Sequence, residues 1–225
     1  MQLPRLSDSE FAGLIELGES RSVEFKPGGS RKNELLLAWV VRGVLAMSNT
    51  ADGGWVILGI EERGETAVFT GLSRHDLLTW NQDDFAATVS GYVDAYVTAT
   101  AYEARHAGVD FVVLRVRQFD DVPTLSKRAV KKPGHPKEKP EYILKEGAIY
   151  IRPRGKPESR ELRTYAEMRE LVELARLPVR ESALQGLTSA AARLEAAVDR
   201  LAGASPAPST PSDDELFDRQ RDPLR

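Results

Sequence analysis

Glu19-Ser-Arg-Ser-Val-Glu-Phe-Lys26 (ESRSVEFK) and Ser48-Asn-Thr-Ala-Asp-Gly-Gly-Trp-Val-Ile-Leu-Gly-Ile-Glu-Glu62 (SNTADGGWVILGIEE) bracket an apolar run over residues 34–47. Alternation over residues 22–26 puts Val23 and Phe25 on one face of a strand and Glu24 and Lys26 on the other. Over residues 55–60, Val56, Leu58 and Ile60 share a face, and Glu62 lies just past the end on the same parity. The run between the two strands carries Leu35, Leu36, Leu37, Trp39, Val40, Val41, Val44 and Leu45. It is apolar on nearly all sides, which predicts a central buried helix capped by Ser30 or Asn33. The joint over residues 49–54 has two readings. It is either a tight turn with positive φ, or glycines and an exposed Asn49 that let a phosphate approach the backbone. Spacing alone does not bring Glu19, Glu24 and Glu62 together.

Working outward, Ser7-Asp8-Ser9-Glu10 is a capping-box pattern that opens a helix bearing Phe11, Leu14, Ile15 and Leu17, with Gly18 to end it. Residues 67–69 read as a short strand, and residues 72–80 and 83–96 as helices, the second with Phe85, Val89, Tyr92, Val93 and Tyr96 inward. Residues 98–105 and 109–116 form a hairpin around Ala107-Gly108. A second hairpin is expected between residues 141–144 and 148–152 across Glu146-Gly147, with Tyr150 and Arg152 on one face. That pair has two readings, a base-stacking and phosphate contact or a half-buried tyrosine beside a solvated arginine.

The chain has 225 residues and 41% hydrophobic content, enough for one sizeable core with extensions. It has no cysteine and only three histidines without metal-ligand spacing, which argues against a disulfide scaffold and a zinc site. No signal-peptide core opens the sequence and the apolar run is too short for a bilayer, so a cytoplasmic protein without a membrane partner is expected. No Gly-x-x-x-x-Gly-Lys-Ser/Thr motif occurs, and ATP has no motif to support it.

Net charge is −3, yet residues 126–160 hold eleven cations against four acids. Such a basic strip is either a phosphate-binding face or a solvated loop. Its candidate nucleic-acid contacts are Lys127, Arg128, Lys131, Lys132, Tyr150, Arg152 and Arg154, joined by Lys26 from the first strand. Residues 131–140 are a Pro/Gly/Lys loop. Farther on, Leu184, Leu187, Ala191, Leu194, Val198 and Leu201 step by three and four, a heptad seam that either docks on its own domain or pairs two copies. Residues from 205 are rich in Pro, Ser, Thr and Asp, and a disordered tail is expected.

The two opening motifs, the intervening helix and the late segment Gly147-Ala-Ile-Tyr-Ile-Arg-Pro-Arg-Gly155 together resemble the Schlafen AlbA-like domain family, with a closing helix near residues 164–175. The resemblance covers residues 16–177 and implies an α+β fold, a mixed or antiparallel sheet packed with helices. The organisation expected is a nucleic-acid-binding domain over 1–177, an amphipathic helix over 180–203 and an acidic tail over 204–225. Family members that cut use three carboxylates and a divalent metal on structured RNA such as tRNA. By motif position these are Glu19, Glu24 and Glu62, with oxygen ligands suited to Mg²⁺ or Mn²⁺. The third acid is usually aspartate, and here it is glutamate. The resemblance therefore implies a nucleic-acid-binding protein, RNA favoured over DNA, and a candidate metal-dependent endoribonuclease. The alternative is a non-catalytic DNA- or RNA-binding module or transcriptional regulator. Animal members pair two modules into a cleft, whereas this chain has one, so a cleft of that kind would require a homodimer through residues 184–201.

Overall fold

A computed structural model describes residues 3–64, 66–94, 96–134 and 139–203. Two compact units divide it at Pro178/Val179. In the first unit the opening helix α1 (Asp8–Leu17) starts at Ser7, whose side chain and that of Glu10 close a capping box, and stops at Gly18. Strand β1 (Val23–Lys26) follows. Helix α2 (Glu34–Ser48) is capped by Asn33, whose side chain accepts from the Leu35 and Leu36 N–H groups. Strand β2 (Gly54–Leu58) then returns parallel to β1, pairing Glu24 with Val56 and Phe25 with Ile57.

The main sheet runs β1-β2-β6-β5. Its antiparallel half is the expected hairpin of β5 (Ala99–His106) and β6 (Val109–Val116). The two sheet faces are read out by alternation. Val56, Leu58, Val112, Leu114 and Val116 pack in one core with α2. Helices α3 (Arg74–Leu78) and α4 (Gln82–Ser90) add Leu77, Phe85 and Val89 to that core. Val23, Phe25, Ile57, Phe111 and Val113 pack on the other face with Phe11 and Leu14 of α1. The class is α+β, and α2 is the buried centre.

Three local expectations are corrected. The strand over residues 55–60 breaks at Gly59, which has φ of 107°. A Cβ there would stand 2.8 Å from Gly71 and Phe111 atoms, so this sharp bend needs glycine. Beyond the break, β3 (Ile60–Arg63) pairs with β4 (Thr66–Phe69). Ile60 now packs with Ile57 rather than with Val56 and Leu58. The second expected hairpin is also absent. The chain turns at Gly147, but Ser126 accepts from Gly147 N–H and donates its own N–H to Ala148. Strand β8 (Tyr142–Leu144) therefore pairs with β7 (Val130–Lys131), and β9 (Tyr150–Ile151) with β10 (Arg160–Glu161). Finally, α4 ends at Ser90 because Tyr92 O and Asp94 N–H bond to Lys127 N–H and Leu125 O. Tyr96, expected inward, is exposed.

Helix α5 (Tyr165–Gly203) crosses the unit boundary. In the first unit Leu171 and Leu174 pack against Phe119 and Ile151. In the second unit Leu184, Leu187 and Leu194 of the seam are exposed. The expected tail over 204–225 and loop residues 135–138 lie outside the described residues. Among the described residues no helix is long and apolar enough to cross a membrane.

Asn49, left exposed by one of the two readings of this joint, is 3% exposed and acts as a tie. Its amide donates to Thr124 O at 2.8 Å and Tyr150 O at 2.9 Å, and its Oδ1 accepts from Thr124 N–H at 2.9 Å. The turn after it, with Asp52 at φ 63° and Gly53 at φ 70°, is the tight-turn reading. Asn49→Ala strands three buried backbone groups and should cost about 3 kcal/mol in denaturant unfolding. Asn49→Asp should cost at least as much, because a carboxylate cannot donate to the two carbonyls. Wild-type stability in either variant would contradict the tie.

Candidate functional site

The β1 alternation drives Glu24 toward α2, where it is 3% exposed. A Cβ at Gly43 would lie 2.9 Å from Glu24 Oε2, so the helix can pass this close only because residue 43 has no side chain. Lys26 Nζ donates to Glu24 Oε1 at 2.5 Å. Oε2 accepts from Arg152 Nη1 at 2.8 Å and from the Ser159 hydroxyl. Burial pushes the Glu24 carboxyl up, but the charges of Lys26 and Arg152 outweigh it and hold the group below its ordinary range.

Arg152 and Tyr150 are corrected from surface contacts to buried ones, at 1% and 2% exposure. Arg152 also donates to Ser20 O at 3.0 Å, to Val23 O at 2.9 Å and to Ser159 Oγ at 3.3 Å. The Tyr150 hydroxyl accepts from Lys145 N–H at 2.8 Å, and burial raises its pKa. Neither side chain is available for a base or a phosphate.

Glu19 follows the α1 terminus and Glu62 sits on β3, and the structure brings them together in a cleft of about 970 Å³. Lys26, Arg42 and Lys156 line the same cleft. Burial first, then a hydrogen bond and the charge of Glu62, push the Glu19 carboxyl up to about 7. The charge of Lys26 and the Phe25 N–H, which donates to Glu19 at 3.3 Å, oppose this. The Glu19 carboxyl thus titrates near neutrality.

Glu19, Glu24 and Glu62 all line this cleft, but as arranged they do not fit a divalent cation. Both Glu24 oxygens are spent on Lys26, Arg152 and Ser159. Among the described residues no group of three or more His, Cys, Asp or Glu is placed to hold a metal ion. Lys26 is committed too, since its ammonium bonds Glu24 and, at 3.0 Å, Phe25 O.

A second cleft, of about 870 Å³, adjoins the first at Lys156. Arg21, Arg154, Arg160, Arg163 and Arg169 line it, against Glu167, Glu170 and Glu173. Arg21 and Arg154 pair with Glu170, and Arg160 with Glu167. The Glu167 carboxyl is drawn down to about 2 by the Arg160 hydrogen bond and by the N–H groups of Arg163 and Thr164 at the start of α5. Lys156, Arg163 and Arg169 are exposed and carry no ion pair among the described residues.

The basic strip is therefore split. Arg154, Lys156 and Arg160 face this groove, whereas Lys127, Arg128, Lys131 and Lys132 line neither cleft. Arg128 lies over the Tyr92 ring at 4.9 Å, and Lys132 pairs with Glu141 at 3.1 Å. Sequence reading missed Arg21, Arg163 and Arg169, which fall outside the strip. The run of arginines at 160, 163 and 169, entering the closing helix, was the available signal.

Residues 19–158 match the family model described as Schlafen, AlbA_2, and the chain belongs to that family. Two solved structures are similar. The DIP2311 protein from Corynebacterium diphtheriae is 16% identical, with a TM-score of 0.48, over 76% of this chain and 32% of its own. This chain thus spans about a third of that protein's length. The N-terminal domain of an ATP-dependent DNA helicase RecG-related protein from Nitrosomonas europaea is 19% identical, with a TM-score of 0.41, over 70% of this chain and 94% of its own. No curated protein matches.

The raised Glu19 carboxyl has a stability consequence whose sign is fixed. The folded chain keeps a proton up to about pH 7 that the unfolded chain loses near the ordinary value of 4.5. The stabilisation from Glu19 is full below 4.5 and is lost as pH rises through 7. In EDTA, Glu19→Gln should melt about 2–4 °C above wild type at pH 8. The gap should close on acidification, and parallel Tm profiles for the two proteins would exclude the raised Glu19 carboxyl.

Proposed function

We propose that this member of the Schlafen AlbA_2 family is a nucleic-acid-binding module, RNA favoured over DNA, and that it acts without cutting. The family match supports the nucleic-acid partner. The observation that carries the binding surface is the groove at the start of α5, where Lys156, Arg163 and Arg169 are exposed without ion pairs among the described residues. Guanidinium forks are suited to phosphate, and released counterions would supply most of the affinity. The commitment of Glu24 to Arg152, Lys26 and Ser159 favours the non-catalytic reading, because metal ligation by Glu24 would require breaking that network.

The second reading is a divalent-metal-dependent endoribonuclease on tRNA or other structured RNA. It is favoured by the meeting of Glu19 and Glu62 in an open cleft next to the cationic groove. The exposed leucines of the second unit support self-association of two copies through residues 184–201. Light scattering on wild type and Leu187→Glu tests this; a monomeric wild type excludes it.

Affinity for RNA should fall linearly with salt on a log–log plot. Arg163→Gln with Arg169→Gln should reduce that slope by about 2, roughly equally across sequences. Lys127→Gln with Lys131→Gln should leave it nearly unchanged. Intact RNA in Mn²⁺ supports the module reading. Discrete fragments that vanish in EDTA and with Glu24→Ala would replace it with the nuclease reading.

A further inference from the structure

Arg42, on α2, lines the larger cleft, and its side chain has no hydrogen bond or ion pair among the described residues. Its guanidinium lies 5.1 Å from the Trp39 ring centre and 5.4 Å from that of Tyr150. Its Nε is buried with no acceptor. A guanidinium fixed by two rings but lacking an acceptor is poised for an anion from outside the chain.

Trp39 is half-buried and also borders an apolar slot of about 390 Å³, formed with Phe25, Pro27, Leu35 and Leu36. That volume lies within the roughly 300–1,000 Å³ of small-molecule sites. The slot and the larger cleft share Phe25, Lys26, Pro27 and Trp39, so Trp39 borders both an apolar compartment and the one that holds Arg42 and Lys156. Lys156 then joins the larger cleft to the arginine groove.

We infer that Trp39 and Arg42 form a subsite for one unpaired nucleotide, its base against Trp39 in the apolar slot and its phosphodiester at Arg42 and Lys156. The inference deepens the nucleic-acid reading and rests on it. A flat ligand with an apolar face and one anionic end matches the two compartments together. Glu19, Glu61, Glu62 and Glu158 line the same cleft and would repel a triphosphate, so a single phosphodiester in a strand fits better than a free nucleoside triphosphate. A duplex has no free base to offer, and the groove alone would hold it.

The decisive comparison uses the wild-type chain in EDTA, with a blunt RNA duplex, the same duplex carrying a single-stranded overhang, and that overhang made abasic. The overhang should bind about tenfold tighter than the blunt duplex, and the abasic overhang should lose that gain although its phosphates remain. Trp39→Leu should bind overhang and blunt duplex alike, with the blunt affinity unchanged. Equal wild-type affinity for blunt and overhang duplexes overturns the subsite, as does a gain that survives removal of the bases. Should wild type bind none of the three, the nucleic-acid reading falls. The subsite is then judged by tryptophan quenching with a free nucleoside monophosphate, compared with Trp39→Phe. Quenching that disappears in Trp39→Phe retains the subsite, and no quenching removes it.

Discussion

A carboxylate almost sealed from water is tolerated only when its charge is answered on every side, and Glu24 is answered by three groups from two distant stretches. Lys26 comes from the same strand, Arg152 and Ser159 from a segment far along the chain. Much of the functional end of the domain follows from this. Gly43 lets α2 close over the carboxylate. Arg152, by binding Ser20 O and Val23 O as well, fastens the late strands to β1. The 156–159 segment is thereby drawn into place as a wall of the larger cleft.

Two acids that share a motif end with opposite chemistries because of what surrounds them. Glu24 meets two cations and stays charged despite burial. Glu19 meets Glu62, and burial together with that neighbouring carboxylate pushes its carboxyl up to about 7.

How much of this the sequence disclosed depends on the range of the interaction. The alternation that separates Val23 and Phe25 from Glu24 and Lys26, the cap at Ser7 and the hairpin turning at Ala107-Gly108 are local and were legible, and Asn33 was one of two candidate caps for α2. The bend at Gly59 reversed the face assigned to Ile60, because a single positive φ resets the parity of everything after it. Residues 141–152 looked like a hairpin, yet Ser126, remote in sequence, takes the backbone groups that a hairpin would pair. Tyr150 and Arg152 looked like surface contacts because nothing near them in the sequence shows that Glu24 and Asn49 lie against them. The cation strip is a feature of composition, and composition does not say which side of a segment faces which cleft.

Glu24 and Arg152 stand 128 residues apart, and this imposes an order of events as the chain is made. The β1–α2–β2 unit is complete long before Arg152 emerges, so a nascent unit cannot close over a charged Glu24 with its full set of partners. It has either to keep the carboxylate in water, with α2 undocked at Gly43, or to take up a proton. Closure of the domain is thus a late, long-range event, and an early release of the N-terminal part would leave the most apolar helix of the protein in search of another surface.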